Sequence, residues 1–220
     1  MPSDTWAIVV AGGEGRRFGA AKQFLDLAGR PVLDWSVEAA RSVADEVVLV
    51  LPSDALGDPA RHAGCRLVAA GGVTRADSVR AGLALVAPEV EYVLVHDAAR
   101  PLASPALFRA VADALAAGAE AVVPGLALHD TIKRVVDGRV ESTLRREELV
   151  AVQTPQGFRA EVLRRAHATG AEASDDAALV EALGVSVRVV PGEEHNVKLT
   201  TTADLGLAAL YLAEGAARPR

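Results

Sequence analysis

The sequence predicts an α/β protein, a mostly parallel sheet with helices on both faces and a β-ribbon arm projecting from it. Three observations carry that reading. Short β-rich runs alternate with helix-like stretches along the chain. The runs are apolar at successive positions, as strands covered on both faces must be. The first of them opens directly into a glycine-rich loop, and sheets of this kind bind ligands beyond the carboxyl ends of their strands.

The strand runs are WAIVV (6–10), EVVLVL (46–51), CRLVAA (65–70), YVLVHD (92–97), EAVVPG (120–125) and VSVRVV (185–190). Between them VLDWSVEAARSV (32–43), ADSVRAGLALVA (76–87) and PALFRAVADALAAG (105–118) carry apolar residues at helical spacing. One stretch breaks the rhythm. HDTIKRVVDGRVESTL (129–144) reads as two extended arms around Asp137-Gly138, a pair suited to a tight turn at positive φ. Its outer residues are mostly polar, so a ribbon at about 128–147 is expected to leave the sheet and to be covered by a second subunit. The 220 residues, 50% hydrophobic and 24% charged, are read as one domain over 1–220.

Composition excludes several classes. No run reaches the roughly 18 apolar residues of a membrane helix, and MPSDTW lacks a basic segment leading an apolar one, so a cytoplasmic protein is expected. Cys65 is the lone cysteine, and no Cys/His cluster has metal-ligand spacing. A net charge of −6 argues against a nucleic-acid surface and for a small partner.

The loop after the first strand, AGGEGRRFGAAK (11–22), sets Gly12, Gly13 and Gly15 beside Arg16, Arg17 and Lys22. Glycines let backbone N–H groups converge on phosphate oxygens, and three clustered cations repel one another unless a polyanion lies among them. The alternative is a glycine turn at a sheet edge with solvated arginines. Phe18 stands where a dinucleotide fingerprint needs glycine, and the Gly-Lys-Ser/Thr of a P-loop is absent. Lysine usage points the same way: among 23 basic residues only Lys22, Lys133 and Lys198 are lysines. A compact ammonium suits a tight triphosphate site that a wide guanidinium fork does not, although codon bias and chance are rivals.

AGGEGRRFGAAKQFLDLAGRP, GGVTRADSVRAGL, VHDAARP, DTIKR, TPQGF, SDDAALVE and NVKLTT resemble, in order and spacing, the motifs of the 2-C-methyl-D-erythritol 4-phosphate cytidylyltransferases. The resemblance spans nearly the whole chain and implies a nucleotide-diphospho-sugar transferase-like, Rossmann-like fold. It implies transfer of the cytidylyl group of CTP to methylerythritol phosphate, with release of pyrophosphate and use of Mg2+ or another divalent cation. Ala21 stands where that family usually has a proline before Lys-Gln.

The same resemblance assigns roles. Arg17 and Lys22 would stabilise the transition state, with Ala11, Gly12, Gly13 and Gly15 holding the triphosphate. In the nucleotide-binding loop Gly72 would offer the base backbone contacts, Ser78 a hydroxyl, and Arg75 would order the loop, while Thr131, Arg146, Thr154, Lys198 and Arg100 would position the acceptor. A homodimer exchanging ribbon arms would let one subunit complete its partner's acceptor site. Asp97, ending a buried strand, is the expected metal ligand; against this stands an Asp that caps a turn and pairs with Arg100. Thr74 equally reads as a helix cap, and Ser174-Asp175-Asp176 as a helix start. The five histidines form no triad and read as structural. Rival functions are a ribitol 5-phosphate cytidylyltransferase, a nicotinamide-dependent oxidoreductase and a nucleotide sensor without catalysis.

Overall fold

The computed structural model describes residues 4–13 and 21–217. In chain order, β1 (Thr5–Val10) is followed by the short pair β2 (Asp26–Leu27) and β3 (Arg30–Pro31), then α1 (Val32–Arg41) and β4 (Glu46–Leu51). Next come β5 (Leu67–Ala70), α2 (Arg75–Leu83), β6 (Tyr92–Asp97), α3 (Pro105–Ala116) and β7 (Ala121–Ala127). The strands β8 (Lys133–Val136) and β9 (Arg139–Thr143) precede β10 (Val150–Val152) and β11 (Gln156–Arg159). Then follow α4 (Ala160–Ala168), α5 (Asp176–Glu181), β12 (Val187–Pro191) and α6 (Thr202–Ala217).

The six β-rich runs become β1, β4, β5, β6, β7 and β12, and the three helical stretches become α1, α2 and α3. The main sheet has the order β10-β7-β11-β6-β1-β4-β5, with β12 also on β7. Pairing is parallel for β1 with β4 and β6, for β4 with β5, and for β7 with β12.

The antiparallel insertion was not visible in the sequence rhythm. β11 lies between β6 and β7 and runs antiparallel to both, and β10 continues along β7. VAV and QGFR are too short to announce strands; the vacant lane between β6 and β7 defines them.

Period-two alternation sorts the sheet's side chains onto two apolar faces. Ala7, Val9, Leu49 and Leu94 pack with Leu33 and Val37 of α1 and Phe108 and Val111 of α3. Ile8, Val48, Val50 and Val95 pack with Val79 of α2, Leu163 of α4 and Val180 of α5 on the other face. Each fully buried aliphatic side chain contributes roughly 1.5–3 kcal/mol, which makes the strand ends a rigid platform. A third cluster joins Leu27, Val32 and Leu199 to Ala208 of α6, a helix the sequence reading had not placed.

β8 and β9 form their own two-stranded sheet. Asp137 and Gly138 both have positive φ, 48° and 73°, as a tight Asp-Gly hairpin turn requires. Val135 and Val140 on this ribbon are 56% and 62% exposed in the single chain. Among the described residues no helix is long and apolar enough to cross a membrane.

Candidate active site

One wall of the site is made by strand ends. Ala11–Gly13 follow β1, Pro52–Asp54 follow β4, Gly71–Thr74 follow β5, and Asp97 ends β6. Together with Lys22, Gln23 and Lys198 these residues line a cleft of about 960 Å³, near the upper end of the roughly 300–1,000 Å³ typical of small-molecule sites. The cleft is possible because two loops touch backbone to backbone at its floor. A Cβ on Gly71 would sit 2.9 Å from the Cα of Gly12 and 3.1 Å from the Oγ of Ser78, so position 71 has no room for a side chain, and a Cβ on Gly12 would be tight at 3.1 Å from both the Cα of Gly71 and the Oγ of Ser78.

Helix α2 enters the cleft by its N-terminus. Thr74 caps it in a full capping box: the Asp77 amide donates to Thr74 Oγ1 at 3.0 Å, and the Thr74 amide donates to the Asp77 carboxylate at 3.1 Å. The helix-cap reading of Thr74 therefore holds. Ser78 Oγ accepts from the Gly72 amide at 3.2 Å and donates to the Thr74 carbonyl at 3.0 Å, so its proton is spent on the loop.

Asp97 is gripped from two sides. Arg75 Nε donates to its Oδ1 at 2.9 Å and Lys198 Nζ to its Oδ2 at 2.7 Å. Burial alone would raise this carboxyl, but Arg75 and Lys198 outweigh it and hold Asp97 well below the usual carboxylate range. Arg75 in turn reaches Asp176 Oδ2 from Nη1 at 2.7 Å. Burial works against its guanidinium charge, and the Asp97 and Asp176 carboxylates more than offset that, keeping Arg75 above its ordinary value.

Behind Asp97 lies a chain of hydrogen bonds through the buried His96 and Thr154. The Arg100 carbonyl can only accept, so His96 Nε2 carries a hydrogen and donates to it at 3.1 Å. His96 Nδ1 then accepts from the Thr154 hydroxyl, 3.1 Å away, and Thr154 Oγ1 accepts from the Asp97 amide at 3.1 Å. Burial pushes His96 down to about 4, the neutral form this arrangement demands. His96 is thus structural, as read.

Of the residues singled out in the sequence, Ala11, Gly12, Gly13, Lys22, Gly72, Arg75, Ser78, Asp97 and Lys198 share the cleft. Lys22 Nζ donates to the Leu199 carbonyl at 2.8 Å, next to Lys198. Two of the chain's three lysines therefore face one cavity; the third, Lys133, bonds Thr143 on the ribbon. Thr154 stands behind the cleft, in contact with His96. Thr131 and Arg146 are exposed at the ribbon base, where Arg146 donates to the His129 carbonyl. Gly15, Arg16 and Arg17 lie outside the described residues.

The proposed Asp97–Arg100 ion pair does not form. The Arg100 guanidinium instead donates to the carbonyls of Asn196, at 2.7 Å, and Val152, at 3.4 Å, because β10 and the segment before α6 close over it. Asp175 is the cap of α5, accepting from the Ala178 amide at 3.0 Å, as the helix-start reading holds; Asp176 is the acid that reaches Arg75, behind the cleft. Sequence reasoning missed Gln153, whose amide ties Glu193 and Asn196 together. It also missed Gln23, which donates to the Gly13 carbonyl at 3.4 Å. Neither side chain carries charge or periodicity that would mark it.

A mixed, mostly parallel sheet with a cation-rimmed, glycine-floored cleft beyond its strand ends defines an α/β nucleotidyltransferase. The solved structures it resembles agree. The 4-diphosphocytidyl-2C-methyl-D-erythritol synthase of Anaerococcus prevotii superposes with a TM-score of 0.83 at 31% identity, over 95% of this chain and 98% of that one. The 2-C-methyl-D-erythritol 4-phosphate cytidylyltransferase of Thermus thermophilus gives 0.80 at 38%, over 94% and 98%. The family model for IspD, 2-C-methyl-D-erythritol 4-phosphate cytidylyltransferase, matches residues 5–214, and the chain belongs to that family. A cytidylyltransferase of this name from Rhodococcus jostii (strain RHA1) is 48% identical over 96% of each chain. A bifunctional IspD/IspF enzyme of Solidesulfovibrio magneticus is 44% identical over 97% of this chain, which spans 58% of that protein.

Proposed function

We propose that the protein joins CTP and 2-C-methyl-D-erythritol 4-phosphate to give 4-diphosphocytidyl-2-C-methyl-D-erythritol and pyrophosphate. The observation that carries the mechanism is the convergence of Lys22, Lys198 and Arg75 on a cleft floored by Gly12 and Gly71. A phosphate oxygen of the acceptor attacks the α-phosphorus of CTP, and the bond to the pyrophosphate oxygen breaks. The acceptor phosphate, with a second pKa of about 6, arrives largely deprotonated, so the chain need not supply a general base. What it supplies is fixed charge where charge builds: Lys22 and Arg17 for the phosphates, Lys198 for the acceptor. Backbone at Ala11–Gly13 seats the triphosphate, and Gly72 faces the base.

Asp97 fits a magnesium ion. It is an ionised carboxylate on the cleft wall, and no group of three acidic or imidazole ligands forms among the described residues. Such an ion takes one or two carboxylates and completes its shell with substrate phosphates. When bound it neutralises charge on the triphosphate. Lys198 must then share Asp97.

The protein acts in the cytoplasm as a homodimer whose ribbon, with Thr131 and Arg146, reaches the partner's acceptor site. A two-stranded ribbon with exposed valines is only marginally stable alone, which supports a second copy as its cover. Ribitol 5-phosphate is the less favoured acceptor, since the matched family is named for methylerythritol phosphate. Pyrophosphate release with CTP against ATP, GTP and UTP, each with both acceptors, tests the reading. Turnover confined to CTP with methylerythritol phosphate is expected; faster release with ribitol 5-phosphate overturns the acceptor, and none with any pair overturns catalysis.

A further inference from the structure

We infer that His167 is a positioning residue for Asp97, acting through Asp176 and Arg75; the inference rests on the proposed nucleotidyl transfer. A row of paired side chains leads away from the cleft. Lys198 contacts Asp97 at 2.7 Å, Arg75 contacts Asp97 at 2.9 Å and Asp176 at 2.7 Å, and His167 Nε2 stands 2.9 Å from Asp176 Oδ1. A carboxylate oxygen only accepts here, so Nε2 carries the hydrogen. Asp176 is fully buried and His167 is 3% exposed.

The Asp176 carboxylate is not spent on capping its own helix. Asp175 already caps α5 and holds Gln156 Nε2 at 2.7 Å, leaving the Asp176 carboxylate entirely to Arg75 and His167. The other ring nitrogen of His167 has no partner among the described residues. Leucine would fill the same space on α4 but would leave the buried Asp176 Oδ1 without its donor, so what the imidazole adds is its bond to Asp176.

That bond has a geometric consequence at the cleft. A guanidinium is planar, and Arg75 uses Nε for Asp97 and Nη1 for Asp176, while its Nη2 is unpartnered among the described residues. Turning the Asp176 carboxylate turns the fork and draws Nε off Asp97. With His167 in place, both Asp176 oxygens are held and Arg75 has one orientation. Without it, Asp176 Oδ1 is released, and Asp97 keeps Lys198 but loses its fixed contact with Arg75 Nε.

His167→Gln keeps an N–H near the position of Nε2; His167→Leu keeps the volume and loses the donor; His167→Asn stays polar but falls short of Asp176. The expected result is a kcat loss of about 10-fold for Leu and Asn, the scale on which outer-shell partners act, with the KM for CTP nearly unchanged and Gln close to the parent. The loss should vanish in an Asp97→Asn background, where no carboxylate is left to position. The Arg75 Nε–H resonance in NMR spectra should shift in the Leu and Asn variants and stay in Gln, a readout independent of turnover. An unmoved resonance, equal activity in all three variants, or losses that multiply with Asp97→Asn would overturn the inference. A parent protein that turns over no CTP defeats the proposed reaction instead, and the Arg75 resonance still decides the role of His167.

Discussion

Lys198 and Asp97, 101 residues apart in the chain, meet at 2.7 Å on the wall of the cleft. Arg75 and Asp176, also 101 residues apart, meet at 2.7 Å just behind them. Two long-range ion pairs sharing one arginine–aspartate contact hold Asp97 ionised and aimed.

Asp97→Asn keeps the size of the side chain and removes its charge. Calorimetric titration of CTP with and without magnesium should show that the metal strengthens binding to the parent far more than to the variant. Coincident titrations would make Asp97 a structural acid that only anchors Arg75 and Lys198.

Lys22→Ala should lower kcat by about 100-fold or more while CTP binding weakens much less, because the charge acts chiefly as the transition state forms. Lys22→Arg should also be poor. The ammonium reaches the Leu199 carbonyl from within the cleft, and a broad planar fork does not fit the same point contact. Steady-state kinetics decide: a change confined to KM, or full activity with arginine, contradicts this role.

Gly71→Ala would place a Cβ 2.9 Å from the backbone of Gly12, with no flexible side chain there to yield. A cost of about 1–3 kcal/mol is expected, read as a Tm loss of roughly 2–4 °C per kcal/mol, together with weaker CTP binding. Gly13→Ala, whose Cβ meets nothing within 4 Å among the described residues, should keep the parent's Tm. Equal melting of both variants would show that the loops separate freely.

His96 sets a pH dependence of stability. Its value is pushed down from 6.5 to about 4 by burial, so the unfolded chain binds the proton first. The contribution is fully present above pH 6.5 and is lost as pH falls toward 4, amounting to about 3 kcal/mol. Denaturant unfolding at pH 7, 5.5 and 4.5 should show a steeper decline for the parent than for His96→Gln. Parallel declines would remove His96 as the cause.

Arg146→Ala should raise the KM for methylerythritol phosphate and leave CTP binding nearly intact, since a planar guanidinium suits bidentate phosphate contact. Mixing the impaired Lys22→Ala and Arg146→Ala proteins under subunit exchange, at methylerythritol phosphate well below the raised KM, tests whether the ribbon acts on the partner's site. Heterodimers, shown by mass to form, should regain activity; no rescue would place Arg146 in its own subunit's chemistry or in none.

The sequence by itself determined the runs that became β1, β4, β5, β6, β7, β12 and α1 to α3, the glycine-rich stretch after β1 and the Asp137-Gly138 hairpin. Each depends on local periodicity or on residues that permit positive φ, properties a short stretch carries alone. It also set Lys22 and Lys198 apart as scarce lysines. Tertiary structure decided what those residues meet: Asp97 between Arg75 and Lys198, Arg100 turned to carbonyls rather than to Asp97, and Asp176 rather than Asp175 pairing with Arg75. It also decided the antiparallel lane of β11 and the backbone contact of Gly12 with Gly71. These are partnerships between distant segments, and a carboxylate's partner is fixed by which strand ends and helix starts the packed sheet brings together, information that no local pattern holds.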